Sequence, residues 1–197
     1  MTAGLGIGLA VAVAGCDDGP EDIARDPLAG VEGCEDGLDW TEEGSILEGR
    51  VLERIGEERR KGGRCGDRVY PPQGPLRESP KLHCAARLHS VDMSVDNYVG
   101  FVAPDEMGVV ARLANVGYEY ATWAASIGAG WTEADNAVDS WLRDERHCWK
   151  LFAAEIEEIG IGVVILPEID PATLAADEEP VPAHSTYWTL LVGTELD

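Results

Sequence analysis

Apolar residues recur along this chain at two periods, and the change from one to the other separates helices from strands. From Ser45 to Lys61, Leu47, Val51, Leu52 and Ile55 share one helical face, while Glu48, Glu53, Glu57, Glu58, Arg59 and Arg60 are expected elsewhere around it. Gly62-Gly63 ends that helix, and a loop rich in Pro and Gly follows through Tyr70-Pro71-Pro72 and Gly74-Pro75. Ser79-Pro80 opens a second helix, with the serine placed to cap and the proline in the first turn. Leu82, Ala85, Ala86, His89 and Met93 form its buried stripe, so His89 reads as a hydrogen-bonded core residue. Tyr98 to Met107 reads as loop, and a short helix then carries Val109, Val110 and Leu113 and closes at Gly117. Tyr118 to Ala125 reads as a strand and Ser126 to Trp131 as a close-packed turn. Thr132-Glu133-Ala134-Asp135 has capping-box spacing ahead of a helix that turns Val138, Trp141 and Leu142 inward. Another short helix takes Leu151 and Phe152.

The period then changes. Ile159 to Leu166 and Tyr187 to Val192 are apolar on both faces, and such strands need a layer above and below. Pro167 to Ser185, acidic and proline-bearing, reads as an exposed hairpin loop between them. A hydrophobic fraction of 45% over 197 residues supports one domain with a core. The net charge of -22 repels phosphate backbones, which excludes nucleic acid as a partner class and argues against binding anionic membrane by charge. It reads as a solubility feature of an exposed protein.

Leu5 to Ala14 is apolar but too short to span a bilayer, and it runs into Val13-Ala14-Gly15-Cys16 followed by Asp17-Asp18. This resembles a bacterial lipoprotein signal, in which residues 1–15 are removed and Cys16 becomes the lipid-modified N-terminus. No Lys or Arg precedes the run, although a basic start is usual. The alternative is an ordinary secretory leader. Both readings make the protein exported, either a cell-envelope lipoprotein or a secreted protein. Its membrane contact, if any, is a lipid on Cys16. Residues 16–44, rich in Asp, Glu and Gly, read as an acidic tether whose far end docks through Cys34 and Trp40, and residues 45–197 as the domain. Export permits disulfides. With Cys16 set aside, Cys34, Cys65, Cys84 and Cys148 allow three pairings.

Leu82-His83-Cys84-Ala85-Ala86-Arg87-Leu88-His89-Ser90-Val91-Asp92-Met93 resembles the A-A-R-x-H-S-x-D-M helix of bacterial CAP-superfamily (SCP-domain) proteins. Arg112 to Tyr118, Ile127 to Thr132, Trp141 to Cys148, Glu158 to Val163 and Tyr187 to Thr189 continue the likeness in family order. It covers about residues 46 to 193, and its weight lies in the ordered set rather than in any one segment. The resemblance implies an α+β fold: a three-layer α-β-α sandwich with a small, mostly antiparallel sheet between helices. It also implies the pairing Cys65–Cys148 with Cys34–Cys84. The competing pairing is Cys84 with Cys148 and Cys34 with Cys65.

The family's cleft uses two histidines and one or two acids, which in some members bind a divalent metal. Here the first histidine position falls on Phe101. The glutamate and asparagine of the family's G-E-N-I-A segment fall on Ala125 and Ser126. The second histidine is kept as His147, and Asp144 matches an acid that eukaryotic members place after the helix tryptophan. A catalytic zinc wants about three protein ligands plus water, and Phe and Ala cannot ligate. The expectation is therefore a degenerate cleft of His147, Asp144, Ser126, Phe101 and Ala125, with no metal, no cofactor and no catalytic residue. That suits a binding or structural module for a lipid, a cell-wall component or a protein. The alternative is a hydrolase around His147, metal-assisted or with Ser126 as nucleophile and Asp144 orienting the imidazole.

Overall fold

In the computed structural model, which describes residues 28, 30–34, 40–167 and 183–196, four strands lie between two helical layers. The chain runs α1 (Glu42–Lys61), β1 (Gly63–Cys65), β2 (Arg68–Tyr70), β3 (Arg77–Glu78), α2 (Pro80–Val95), α3 (Val109–Asn115), β4 (Tyr120–Ala129), α4 (Ala134–Arg143), α5 (Glu145–Phe152), β5 (Glu158–Ile165) and β6 (Thr186–Glu195). The sheet order is β3-β5-β6-β4. The long strands pair antiparallel and two-residue β3 pairs parallel with β5.

Strand alternation divides the core. Ile159, Ile161 and Val163 of β5 meet Val51 and Ile55 of α1 and Ala137, Val138 and Trp141 of α4. The residues between them, Gly160 and Gly162, lie under the backbone of α2, where a Cβ would overlap Leu82–His83 and Ala86–Arg87 respectively. The glycines thus let α2 rest on the sheet. Ser90 Oγ then reaches the Gly162 carbonyl at 2.9 Å. Leu82, Ala85 and Ala86 of α2 join Val109 and Leu113 of α3 and Leu191 of β6 in the second core. This is the three-layer arrangement that the two-faced strands imply.

Several local expectations give way to packing. α1 begins at Glu42, with Thr41 Oγ1 accepting from the Gly44 amide at 3.1 Å, three residues before Ser45. The loop after α1 holds the β1–β2 hairpin, whose three-residue strands are too short to show a period. β4 continues through Ser126-Ile127-Gly128-Ala129, in register with β6, where a turn was expected. Its small residues serve packing: Gly128 leaves room for the Trp131 ring, and the chain turns only at Gly130 (φ 81°). No capping box forms at α4, because Asp135 pairs instead with Arg50 of α1 at 2.9 Å and the Glu133 cap makes no side-chain bond. Glu48 and Arg59 are buried, not on the polar face. Arg59 donates to the carbonyls of Gly74 (2.8 Å) and Leu151 (2.7 Å).

Leu28 and Cys34 are buried in the α2–α3 core, and Trp40 stacks under the Arg87 guanidinium at 4.8 Å. The disulfides are Cys34–Cys84 and Cys65–Cys148, the pairing that the resemblance implies. Cys16, the leader, most of the tether and all but the ends of the acidic Pro167–Ser185 loop lie outside the described residues.

His89 is fully buried on α2, with Nε2 2.9 Å from the Gly100 carbonyl. Burial, reinforced by the Arg112 charge, pushes its pKa down from 6.5 to about 4. The folded protein therefore keeps His89 neutral where an unfolded chain would protonate it. Its contribution is complete above about pH 6.5 and is lost as pH falls toward 4, by about 3 kcal/mol. His89→Gln should flatten that part of the stability–pH curve relative to the parent. Parallel curves for the two proteins between pH 7 and 4 would refute the assignment.

Candidate functional site: an apolar trough beside His147

The expected cleft residues come from three places. Ser126 lies within the β4 ladder opposite Leu190. His147 is on the first turn of α5, and Asp144 is the N-cap of that helix. Phe101 is in the loop between α2 and α3. The Asp144 side chain accepts from the Arg146 amide at 2.9 Å and from Arg146 Nη2 at 2.5 Å, which holds its carboxyl well below the usual range. His147 Nδ1 stands 2.8 Å from Ser126 Oγ. Burial and the nearby Lys150 charge push the His147 pKa below its ordinary value, so the ring is neutral at pH 7.

Two members of a Ser-His-Asp set thus meet, but the geometry is wrong for acyl transfer. Ser126 is 1% exposed, in a regular strand, and a substrate carbonyl cannot approach its Oγ. The sharp turn that presents a nucleophilic serine is missing. The Asp144 carboxylate hydrogen-bonds Arg146, and it is the Asp144 backbone carbonyl that bonds His147, through the His147 amide. The imidazole therefore lacks the carboxylate that would orient it.

A metal does not fit either. Ala125 offers no ligand atom, Asp144 is engaged by Arg146, and Nδ1 of His147 is on Ser126. Among the described residues, no three His, Cys, Asp or Glu side chains converge where they could hold an ion.

What the residues build instead is a trough of about 500 Å³ along edge strand β4. Trp123, Ala124 and Ala125 of β4 form one side, Phe101 and Val102 of the loop and Val109 and Val110 of α3 another, and Trp149 and Lys150 of α5 the third. Phe101 is 40% exposed, so it forms a wall and leaves the space open. Val102, Val110 and Trp149 are also exposed, an apolar grouping that a solvated surface does not favour. Lys150 supplies the one cation among these lining residues, its Nζ donating to the Ala125 carbonyl at 2.5 Å. Phe101 and Ala125 line the trough, while Ser126 and His147 are not among its lining residues.

The sequence reading gives Trp123, Trp149 and Lys150 no place in the cleft. The only signal was proximity, since Trp149-Lys150 follows His147 within one turn of the same helix.

The model of the cysteine-rich secretory protein family, CAP, matches residues 71–170, half of the chain. The chain belongs to the CAP family. Its similarity to the uncharacterized protein YkwD of Bacillus subtilis (strain 168) is 27% identity over 120 residues, 61% of this chain and 43% of that protein. An extracellular SCP-domain protein from Bacillus anthracis str. Ames superposes with a TM-score of 0.58 at 16% identity, over 77% of this chain and 41% of the other. An outer surface protein of Borrelia burgdorferi superposes with a TM-score of 0.55 at 12% identity, over 81% of this chain and 97% of the other. At these identities the superpositions establish a shared CAP fold. The chain spans less than half the length of YkwD and of the Bacillus anthracis protein.

Proposed function

We propose that this protein is an exported, lipid-anchored CAP module that binds an apolar ligand and catalyses no reaction. The observation that carries the reading is the trough. Where the resemblance would put a histidine and an acid, Phe101 and Ala125 line an open, largely apolar groove. The ligand class is a lipid, an apolar part of a cell-wall component, or a protein side-chain cluster, taken up without a cofactor. Export is supported by the leader ending at Cys16, by two disulfides, and by the extracellular and outer-surface descriptions of the two superposed bacterial proteins. Among the described residues no helix is long and apolar enough to cross a membrane; the proposed anchor is Cys16, on the strength of the Val13-Ala14-Gly15-Cys16 sequence.

An environment-sensitive apolar dye such as Nile red tests the trough. It should bind the purified domain, and Val110→Glu, at a half-exposed wall position, should abolish binding while leaving the circular dichroism unchanged. Elemental analysis should find no stoichiometric zinc; zinc at one per chain, lost in His147→Ala, would overturn the reading. Labelling cells with a radioactive fatty acid tests the anchor separately. Label on the parent should vanish in Cys16→Ser, and label that survives the change would remove the anchor.

A further inference from the structure

We propose that Lys150 is a covalent capture site for apolar aldehydes, which the trough holds against its amine. This rests on the binding reading above and names the chemistry of the ligand.

The chain has three lysines, Lys61, Lys81 and Lys150. Two are paired with carboxylates: Lys61 with Glu58 at 3.0 Å and Lys81 with Glu195 at 2.5 Å. Lys150 has no carboxylate partner among the described residues, and its Nζ donates to the neutral Ala125 carbonyl. A carbonyl accepts from an amine as well as from an ammonium, so that contact survives loss of a proton. The charged and titratable groups around Lys150 are Asp144, Arg146 and His147. Asp144 is bound to Arg146, and its charge offsets part of the effect of burial on Lys150. Burial lowers the Lys150 pKa, and the Arg146 charge adds to that against the pull of Asp144. A lysine desolvated among apolar side chains is a nucleophile toward carbonyl carbon.

The walls choose the electrophile. Phe101, Val102, Val110, Trp123 and Trp149 favour an aliphatic or aromatic body. A protein of net charge -22 repels an anionic one. The aldehyde group is small and uncharged, so it enters without stranding a charge in the trough. In the reaction the Nζ lone pair adds to the aldehyde carbon, and the carbonyl π pair moves to oxygen. That oxygen takes up protons and leaves as water, both amine hydrogens are lost, and a C=N bond remains. One aldehyde and one amine give one imine and one water, with no change of oxidation state.

The full chain is incubated with octanal and cyanoborohydride, which reduces imines as they form, and the three lysines are read by peptide mass spectrometry. Lys150 should be labelled about tenfold faster than Lys61 in the folded protein and no faster in denaturant. Trp149→Ala keeps the amine but removes a wall, and should cut the preference several-fold. Lys150→Arg should remove the preferred label without changing the circular dichroism. Glyoxylate, a charged aldehyde, should show no preference for Lys150. Equal octanal labelling of Lys150 and Lys61 in a folded chain that still binds Nile red would overturn capture and leave the binding reading standing. Equal labelling with no dye binding would overturn both.

Discussion

Glu48→Ala should lower stability by about 3–5 kcal/mol and the melting temperature by roughly 10–15 °C. Glu48 projects from α1 and is 2% exposed. Its Oε2 accepts from Arg87 Nη2 at 2.8 Å and His83 Nε2 at 3.0 Å, both on α2. Its Oε1 accepts from Arg87 Nε at 3.2 Å and from the Val163 amide of β5 at 3.2 Å. That last bond explains the position. β3 covers β5 only at Glu158 and Ile159, so beyond them no strand among the described residues lies on the outer side of β5. Glu48 supplies the acceptor that a further strand would have given. One carboxylate thus ties both helical layers to the open edge of the sheet, and the two-pronged arginine contact makes the geometry specific.

Removing the acid takes a carboxylate away from the Arg87 guanidinium, which is only 5% exposed, and from the Val163 amide. Glu48→Gln should lose nearly as much, because it keeps the shape and deletes the charge. Replacing Glu48 and Arg87 together should cost less than the sum of the two single changes, since the two side chains are in direct contact. Urea unfolding with an unchanged slope gives each value. A loss below about 1 kcal/mol for Glu48→Ala would put the cluster in the class of solvent-screened surface pairs and sink the argument.

Glu48 and Arg59 read in the sequence as polar-face residues and are buried, although their spacing pointed the other way. Glu48 stands three, four and seven residues before Val51, Leu52 and Ile55, which puts it on their stripe, and Arg59 continues the stripe four residues after Ile55. A charged residue in register with an apolar face signals a buried partner as readily as a solvated edge. Nothing in one sequence says which, because the partners Arg87 and Val163 lie 39 and 115 residues away. The Gly-Ala run after Ala125 misled for a related reason. Small residues mark both turns and close packing, and only the Trp131 ring over Gly128 decides between them. The two-faced strands, by contrast, carried their own evidence for layers on both sides, and the sheet has them. For the candidate site, the sequence brought out the substitutions at Phe101 and Ala125. It could not show that the α2–α3 loop and α5 stand apart and leave a trough, since that depends on backbone separation.

Replacing Cys65 and Cys148 together by serine should cost about 4.5 kcal/mol in the chain-entropy model, because the bond closes a separation of 83 residues. The same treatment of Cys34 and Cys84, separated by 50, should cost only about 0.4 kcal/mol less, so stability alone barely distinguishes the two bonds. The trough does distinguish them. α5 has eight residues, too few to be stable alone in water, and it carries Trp149 and Lys150 into the trough. Its position is set by the Cys148 bond to β1, by Leu151 and Phe152 in the core, by Arg59 on the Leu151 carbonyl, and by polar contacts from His147 to Ser126 and Lys150 to Ala125. Of these, the disulfide is the covalent one, and Cys148 is next to Trp149. Its removal should therefore weaken Nile red binding and erase the Lys150 preference for octanal at temperatures where the domain is still folded. Loss of Cys34–Cys84, which staples the 30–34 segment to α2 in the second core, should destabilise the domain yet leave dye binding within about twofold, as expected for a change outside the contacting walls. Equal loss of dye binding in both serine pairs would mean that α5 is positioned by the core as a whole, and the trough's dependence on its own cross-link would have to be abandoned.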